Sequence, residues 1–240
     1  MIVKLRPAFP GVPGKAFRWS VSVAPSKDLR TNGRRSRGRC GLLLAVALAC
    51  FFMAAPLAAQ TSEPSPVELI ESLLAGRDPV GGPFQLIDHT GRQRSDTDFR
   101  GKLLVIYFGF TSCPDVCPTE LQSISLALDA LGPAAAAVQP LFISIDPERD
   151  TPARLADFVS SFHPQFVGLT GELAAIRKTA LAYKVFFARH RTASENYPVD
   201  HTGFVYLVGK DGRYRGFLPP GSSPQDIRDA LRAELGAAMQ

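Results

Sequence analysis

The chain is poor in cysteine. It has four in 240 residues, and two of these, Cys40 and Cys50, fall in an apolar N-terminal stretch. Only Cys113 and Cys117 remain downstream, so no disulfide framework is available to hold the fold together. Positive charge is missing too once the N-terminus is set aside. Residues 1–39 hold ten Lys or Arg against Asp28 alone, leaving seventeen basic and twenty-one acidic residues behind them. The formal +5 of the whole chain is therefore a property of its leader, and the charge gives no support for a basic nucleic-acid surface. There is no internal repeat, and the one low-complexity tract is Ala134 to Ala137.

The leader is informative about compartment. A basic cluster, Arg34-Arg-Ser-Arg-Gly-Arg39, precedes an uncharged run from Cys40 to Ala59. That pattern reads as a secretory signal peptide or a membrane anchor. Length leaves both open, because about twenty apolar residues suffice to span a bilayer. Pro56-Leu-Ala-Ala59 offers a small-residue cleavage site. Either way the basic flank stays in the cytoplasm and the following domain crosses the membrane. We expect that domain on the periplasmic side of a bacterial inner membrane, anchored or released. The alternative is the mitochondrial inner membrane, facing the intermembrane space, although four prolines before residue 26 break any long presequence helix.

The chain divides accordingly into a leader (1–59), a linker with a short helix (60–80) and one domain (81–240). The domain is long enough to bury a core unaided. Phe84 to Asp88 alternates and ends in a turn, while Lys102 to Phe108 and Leu141 to Ile145 are apolar runs suited to the middle of a sheet. Leu121, Ile124, Leu128 and Leu131 share a helical face after Pro118; Leu155, Phe158, Val159 and Phe162 share another after Thr151-Pro152. Leu173, Ile176, Ala180 and Tyr183 mark a third helix, Gly203 to Leu218 a hairpin, and Ile227, Leu231 and Leu235 a closing helix. This order predicts an α/β, thioredoxin-like fold with a central mixed sheet flanked by helices. Sites in such sheets lie at the carboxyl ends of the parallel strands, where Cys113 and Asp146 both fall.

Cys113 and Cys117 stand on the turn from a strand into a helix, where thiolates are favoured. A structural bridge across so short a loop would stabilise the fold little. Thioredoxin places two residues between its cysteines and this loop has three, so both sulfurs can turn toward one ligand. Two thiolates suit Cu(I), and an imidazole added to them accommodates Cu(II). Of the four histidines, His201 precedes the strand-like run Phe204 to Val208 and belongs across from the cysteine loop. His89 sits in a solvated turn, His163 at a helix end and His190 in a basic exposed segment. Asp115 reads as a turn former or charged neighbour of the thiols, and Asp146 as a group that orients His201 or its loop.

Taken together, Tyr107 to Leu121 around the two cysteines, Asp146 to Pro152, and Val199-Asp-His-Thr-Gly203 resemble the Sco/SenC family of thioredoxin-like copper chaperones. The resemblance runs from about Gly81 to Leu235. It implies that Cys113, Cys117 and His201 bind one copper ion, Cu(I) or Cu(II), and that the cysteines also form a redox-active disulfide. It implies a metallochaperone, not an enzyme, acting on the copper-bearing subunit of cytochrome c oxidase. Other copper chaperones and thioredoxin-like reductants are the further partners it implies. The alternative from another class is an exported thiol-disulfide reductase using the same pair.

Overall fold

In the computed structural model the described residues are 64–76, 78–190 and 197–237. The leader, with Cys40, Cys50 and the cleavage or anchor readings, lies outside them. Among the described residues no helix is long and apolar enough to cross a membrane.

The fold opens with helix α1 (Pro66–Ala75). Its start is encoded locally: the Ser65 hydroxyl accepts from the Glu68 N–H at 3.3 Å, and the Glu68 carboxylate accepts from the Ser65 N–H at 2.7 Å. Leu69 and Leu73 are buried, and Leu73 joins the main core. A helix read from sequence as part of a linker thus packs with the domain that follows.

Strands β1 (Gln85–Asp88), β2 (Gln93–Ser95), β3 (Leu103–Gly109), β4 (Val138–Ser144), β5 (Val167–Thr170), β8 (Val205–Val208) and β9 (Tyr214–Leu218) form one sheet, ordered β2-β1-β5-β4-β3-β8-β9. β3, β4 and β5 run parallel; the outer strands pair antiparallel, so the sheet is mixed. All seven residues of β3 are buried. A strand with apolar groups on both faces needs helices on both sides. These are α2 (Val116–Leu131), α3 (Pro152–Ser160), α4 (Leu173–Ala182) and α5 (Pro224–Ala237). α2 packs along α5, and α3 packs on β5. This is the thioredoxin-like α/β arrangement that the order of elements predicts.

Three details depart from the sequence reading. β4 begins at Val138, not Leu141. β5 pairs with β4 only from Leu141, so Pro140 stands where one edge is unpartnered and its missing N–H is tolerated. β5 itself escapes a pattern search because it is four residues long and contains Gly168. Finally, β6 (Phe187–Arg189) and β7 (Val199–His201) form a separate two-stranded sheet. His201 therefore ends a strand of its own instead of lying on a plain loop into β8.

Candidate metal centre

β3 stops at Gly109 and the chain turns through residues 110–115 into α2, carrying both thiols. The turn is anchored from beneath by Asp150, which is fully buried. Thr111 donates its N–H to that carboxylate at 3.0 Å and its hydroxyl at 2.6 Å, and Ser144 donates from the end of β4 at 2.6 Å. The Cys117 N–H points to the Cys113 sulfur at 3.5 Å. Asp115 stands at the helix start, but its carboxylate is exposed and makes no capping bond. It contributes main chain instead: its N–H helps stabilise charge on Cys113, and its carbonyl accepts from Thr119.

The β6–β7 pair brings His201 to the same place. Nε2 of His201 lies 3.5 Å from the Cys117 sulfur. Nδ1 lies 3.1 Å from the Thr202 carbonyl, which can only accept, so that nitrogen carries a proton and Nε2 is the one turned toward the thiols. Tyr107 and Phe110 meet the imidazole edge-on at 6.1 and 6.0 Å between centroids. The other histidines stay away. His89 accepts from the Gly168 N–H, His163 from the Gln165 N–H, and His190 bonds Asp200 at 2.7 Å on the exposed face.

The two thiols are unequal. Cys117 is fully buried, whereas Cys113 keeps some access to solvent. The Cys117 thiol donates toward Cys113, and His201 and the main-chain N–H groups of Asp115 and Cys117 add to it, against the opposing effect of burial. Together they hold the Cys113 thiol far below its usual range. Its partner shifts the other way: a thiolate next door and burial push Cys117 up. The reduced pair is thus one accessible thiolate beside one buried thiol that keeps its proton.

Asp146, two residues past β4, is fully buried and does not touch His201. It accepts from the Tyr197 hydroxyl at 2.7 Å, pairs closely with Arg149, and lies 3.8 Å from Arg189 of β6. The Arg149 guanidinium stacks 3.8 Å over the Tyr197 ring. Tyr197 leads into β7, so Asp146 fastens the strand pair that carries the histidine, while the Thr202 carbonyl turns the ring. Of the two roles read from sequence, holding the loop is the one its contacts fit.

Two residues escaped the sequence reading. A Cβ on Gly109 would stand 2.9 Å from the Cys117 sulfur and 2.9 Å from the Phe142 ring, so only glycine lets the sulfur lie against the strand end. A lone glycine inside the apolar run Tyr107-Phe-Gly-Phe110 was the available signal. Glu120 is buried one turn beyond Cys117, bonded through one oxygen to the Gly221 N–H. Nothing in its sequence context distinguishes it from a solvated helix carboxylate.

Cys113, Glu120, Arg149, Tyr197 and His201 line a cleft of about 1050 Å³ that opens beside the thiols. Among the described residues no three His, Cys, Asp or Glu side chains already surround one point as a finished ligand set. The sulfurs and the imidazole are close neighbours that need only turn toward a common centre: 3.5 Å between Cys117 Sγ and His201 Nε2 is the spacing of two donors that share an ion at bond lengths of about 2.0–2.3 Å. Two soft sulfurs with an imidazole nitrogen fit a thiophilic ion such as copper.

Known proteins share this architecture. A solved structure titled as Bradyrhizobium japonicum ScoI with copper bound is 42% identical, with a TM-score of 0.61, over 65% of this chain and 99% of that one. The SCO2-like protein RP587 of Rickettsia prowazekii is 41% identical over 157 residues, 65% of this chain and 77% of its own length. The human mitochondrial SCO1 homolog is 45% identical over 163 residues, 67% of this chain and 54% of its own length, so the match spans about half of that relative. The profile of the family described as SCO1/SenC matches residues 74–236, a stretch that holds both thiols, the histidine strand and every wall of the cleft. With the thioredoxin-like sheet and the site at its edge, that match settles kinship: the chain belongs to the SCO1/SenC family.

Proposed function

We propose that this protein is a copper metallochaperone that holds one copper ion as cargo through Cys113, Cys117 and His201. The observation that carries this reading is the convergence of those three side chains at the end of β3, with Nε2 of His201 3.5 Å from a cysteine sulfur. Copper is the cargo favoured by the donor set, and by kinship with a ScoI solved with copper bound. Tyr107 and Phe110 shelter the ion, and Asp146 holds the histidine strand in place. The destination is the copper-bearing subunit of cytochrome c oxidase, a role that rests on the family resemblance. The leader puts the work on the far side of a membrane, periplasmic or facing the intermembrane space.

The cysteines also serve as a redox pair. A sulfur that keeps some access to solvent and favours the thiolate, next to a fully buried thiol shifted the other way, suits dithiol exchange, and this favours thiol-disulfide reduction as a second reading. In the first reading a thioredoxin-like reductant resets the pair before loading.

Titration of the reduced protein with Cu(I) and Cu(II) tests the assignment. One equivalent of Cu(I) should remain bound after gel filtration, and Cys113→Ser or Cys117→Ser should each remove most of the affinity. His201→Ala should weaken Cu(II) more than Cu(I), because two thiolates alone satisfy Cu(I). No retained copper in the reduced wild type, with rapid metal-free turnover of a protein disulfide, would replace this reading by the reductase.

A further inference from the structure

Glu120 is 5% exposed and makes one hydrogen bond, from the Gly221 N–H to Oε1. Its second oxygen is buried with no partner among the described residues. A half-satisfied buried carboxyl destabilises a fold, and an apolar side chain of similar length would fill the same space without that cost. Stability does not explain it. Its connections do.

Gly221 lies in the turn from β9 to α5, with φ of 73°, a conformation that suits glycine. Pro219 and Pro220 stiffen the turn, and Ser222 closes it with both its N–H and its hydroxyl on the Pro219 carbonyl. The far side of the turn lies beside the histidine segment: Gly203, two residues past His201, is close enough to it that an added Cβ would meet the Pro220 ring at 3.5 Å and the Tyr107 hydroxyl at 3.9 Å. That same hydroxyl lies 3.9 Å from the Cys117 sulfur. One turn is therefore bonded to the helix of Cys117 through Glu120 and set beside the segment of His201 at Pro220.

We infer that Glu120 is a positioning residue for the imidazole: it locks the Pro219–Ser222 turn to α2 and so fixes the spacing between His201 and Cys117. The inference rests on the copper reading for its metal readout, but its structural content does not need metal. Since Cu(I) is satisfied by the two thiolates and Cu(II) draws on the imidazole, loosening the turn affects one oxidation state and spares the other.

Glu120→Met removes the acceptor while keeping length and apolar bulk; Glu120→Gln keeps a carbonyl oxygen for the Gly221 N–H. In competition titrations of the full chain, Glu120→Met should lose about tenfold or more in Cu(II) affinity with Cu(I) nearly unchanged, and Glu120→Gln should match the wild type. In the metal-free reduced protein, the His201 ring resonances should shift or broaden in the Met variant and stay put in the Gln variant. Pro220→Ala, which cuts the other end of the brace, should move both readouts the same way, and it carries the test if the Met variant does not fold. Wild-type Cu(II) affinity and unmoved His201 resonances in Glu120→Met or Pro220→Ala would overturn the inference. Equal losses in the Gln and Met variants would overturn it too, by making charge and not the hydrogen bond the cause. If no variant and no wild type binds copper, the resonances alone decide, and the copper reading falls separately.

Discussion

The sulfur of Cys117 and Nε2 of His201 stand 3.5 Å apart although 84 positions separate them in the chain. The contact joins an α-helix on the central sheet to a small strand pair outside it. Whatever sets that distance sets the chemistry, and the residues around it can be tested one at a time.

The thiols should react in a fixed order. Alkylation of the reduced, metal-free protein with iodoacetamide at pH 6 should label Cys113 well before Cys117, since the former is the accessible thiolate and the latter keeps its proton. Peptide mapping by mass spectrometry reads the order. His201→Ala should slow Cys113 at the same pH. Equal labelling of both thiols would contradict the assigned asymmetry.

Oxidation should close the site. A Cys113–Cys117 disulfide removes both thiolates, and a disulfide sulfur is a poor ligand, so the oxidised protein should retain no copper and regain it after a dithiol reductant. Copper uptake as tight as that of the reduced protein would move the site elsewhere.

Gly109→Ala should strain the cysteine helix. The added methyl meets the Cys117 sulfur and the Phe142 ring at 2.9 Å, and overpacking of this kind costs roughly 1–3 kcal/mol. Denaturation should show the loss, and Cu(I) affinity should fall with it. Gly82→Ala, where the nearest atom is 3.7 Å away, is the matched control and should behave as wild type.

Asp146→Ala should be among the most damaging single substitutions outside the thiols. It strips a buried partner from Arg149, Arg189 and Tyr197, and breaking a buried pair of this kind costs about 3–5 kcal/mol. Urea denaturation measures it; a midpoint equal to that of the wild type would show that the guanidinium groups find other partners.

Acid sensitivity should report on Asp88, at the end of β1. Burial would raise its pKa, but the Thr90 hydroxyl, the N–H groups of Arg92 and Thr90 and the charge of Arg94 outweigh it, so the folded value lies below the ordinary one. A carboxylate depressed on folding stabilises fully above its unfolded pKa of about 4 and loses that contribution as pH falls through the folded value. The stability gap between wild type and Asp88→Asn should therefore be flat from pH 7 to 5 and shrink below pH 4. A gap unchanged down to pH 2 would rule this out.

The strands and helices that bury full apolar faces were legible in sequence, because β3 and α2 repeat their pattern over several residues. So was the thiol loop, which sits where a parallel strand ends. What escaped depends on tertiary contact. Three-residue strands such as β6 and β7 have no period to detect, and that concealed the true mounting of His201. Glu120 looks like any helix carboxylate until the 219–222 turn folds over it. Asp115 and Asp146 carry their contacts where sequence does not show them, one through its main chain and the other through Tyr197 and Arg149.

The separate sheet of β6 and β7 has a consequence for what holds the histidine in place. An isolated two-stranded ribbon is only marginally stable by itself, and such elements open locally far more readily than a central sheet. The place of the imidazole therefore depends on side-chain ties to the rest of the fold, those of Asp146 to Tyr197 and Arg189 above all, whereas both sulfurs belong to the main core. Loss of those ties would move the nitrogen while leaving the two sulfurs where they are.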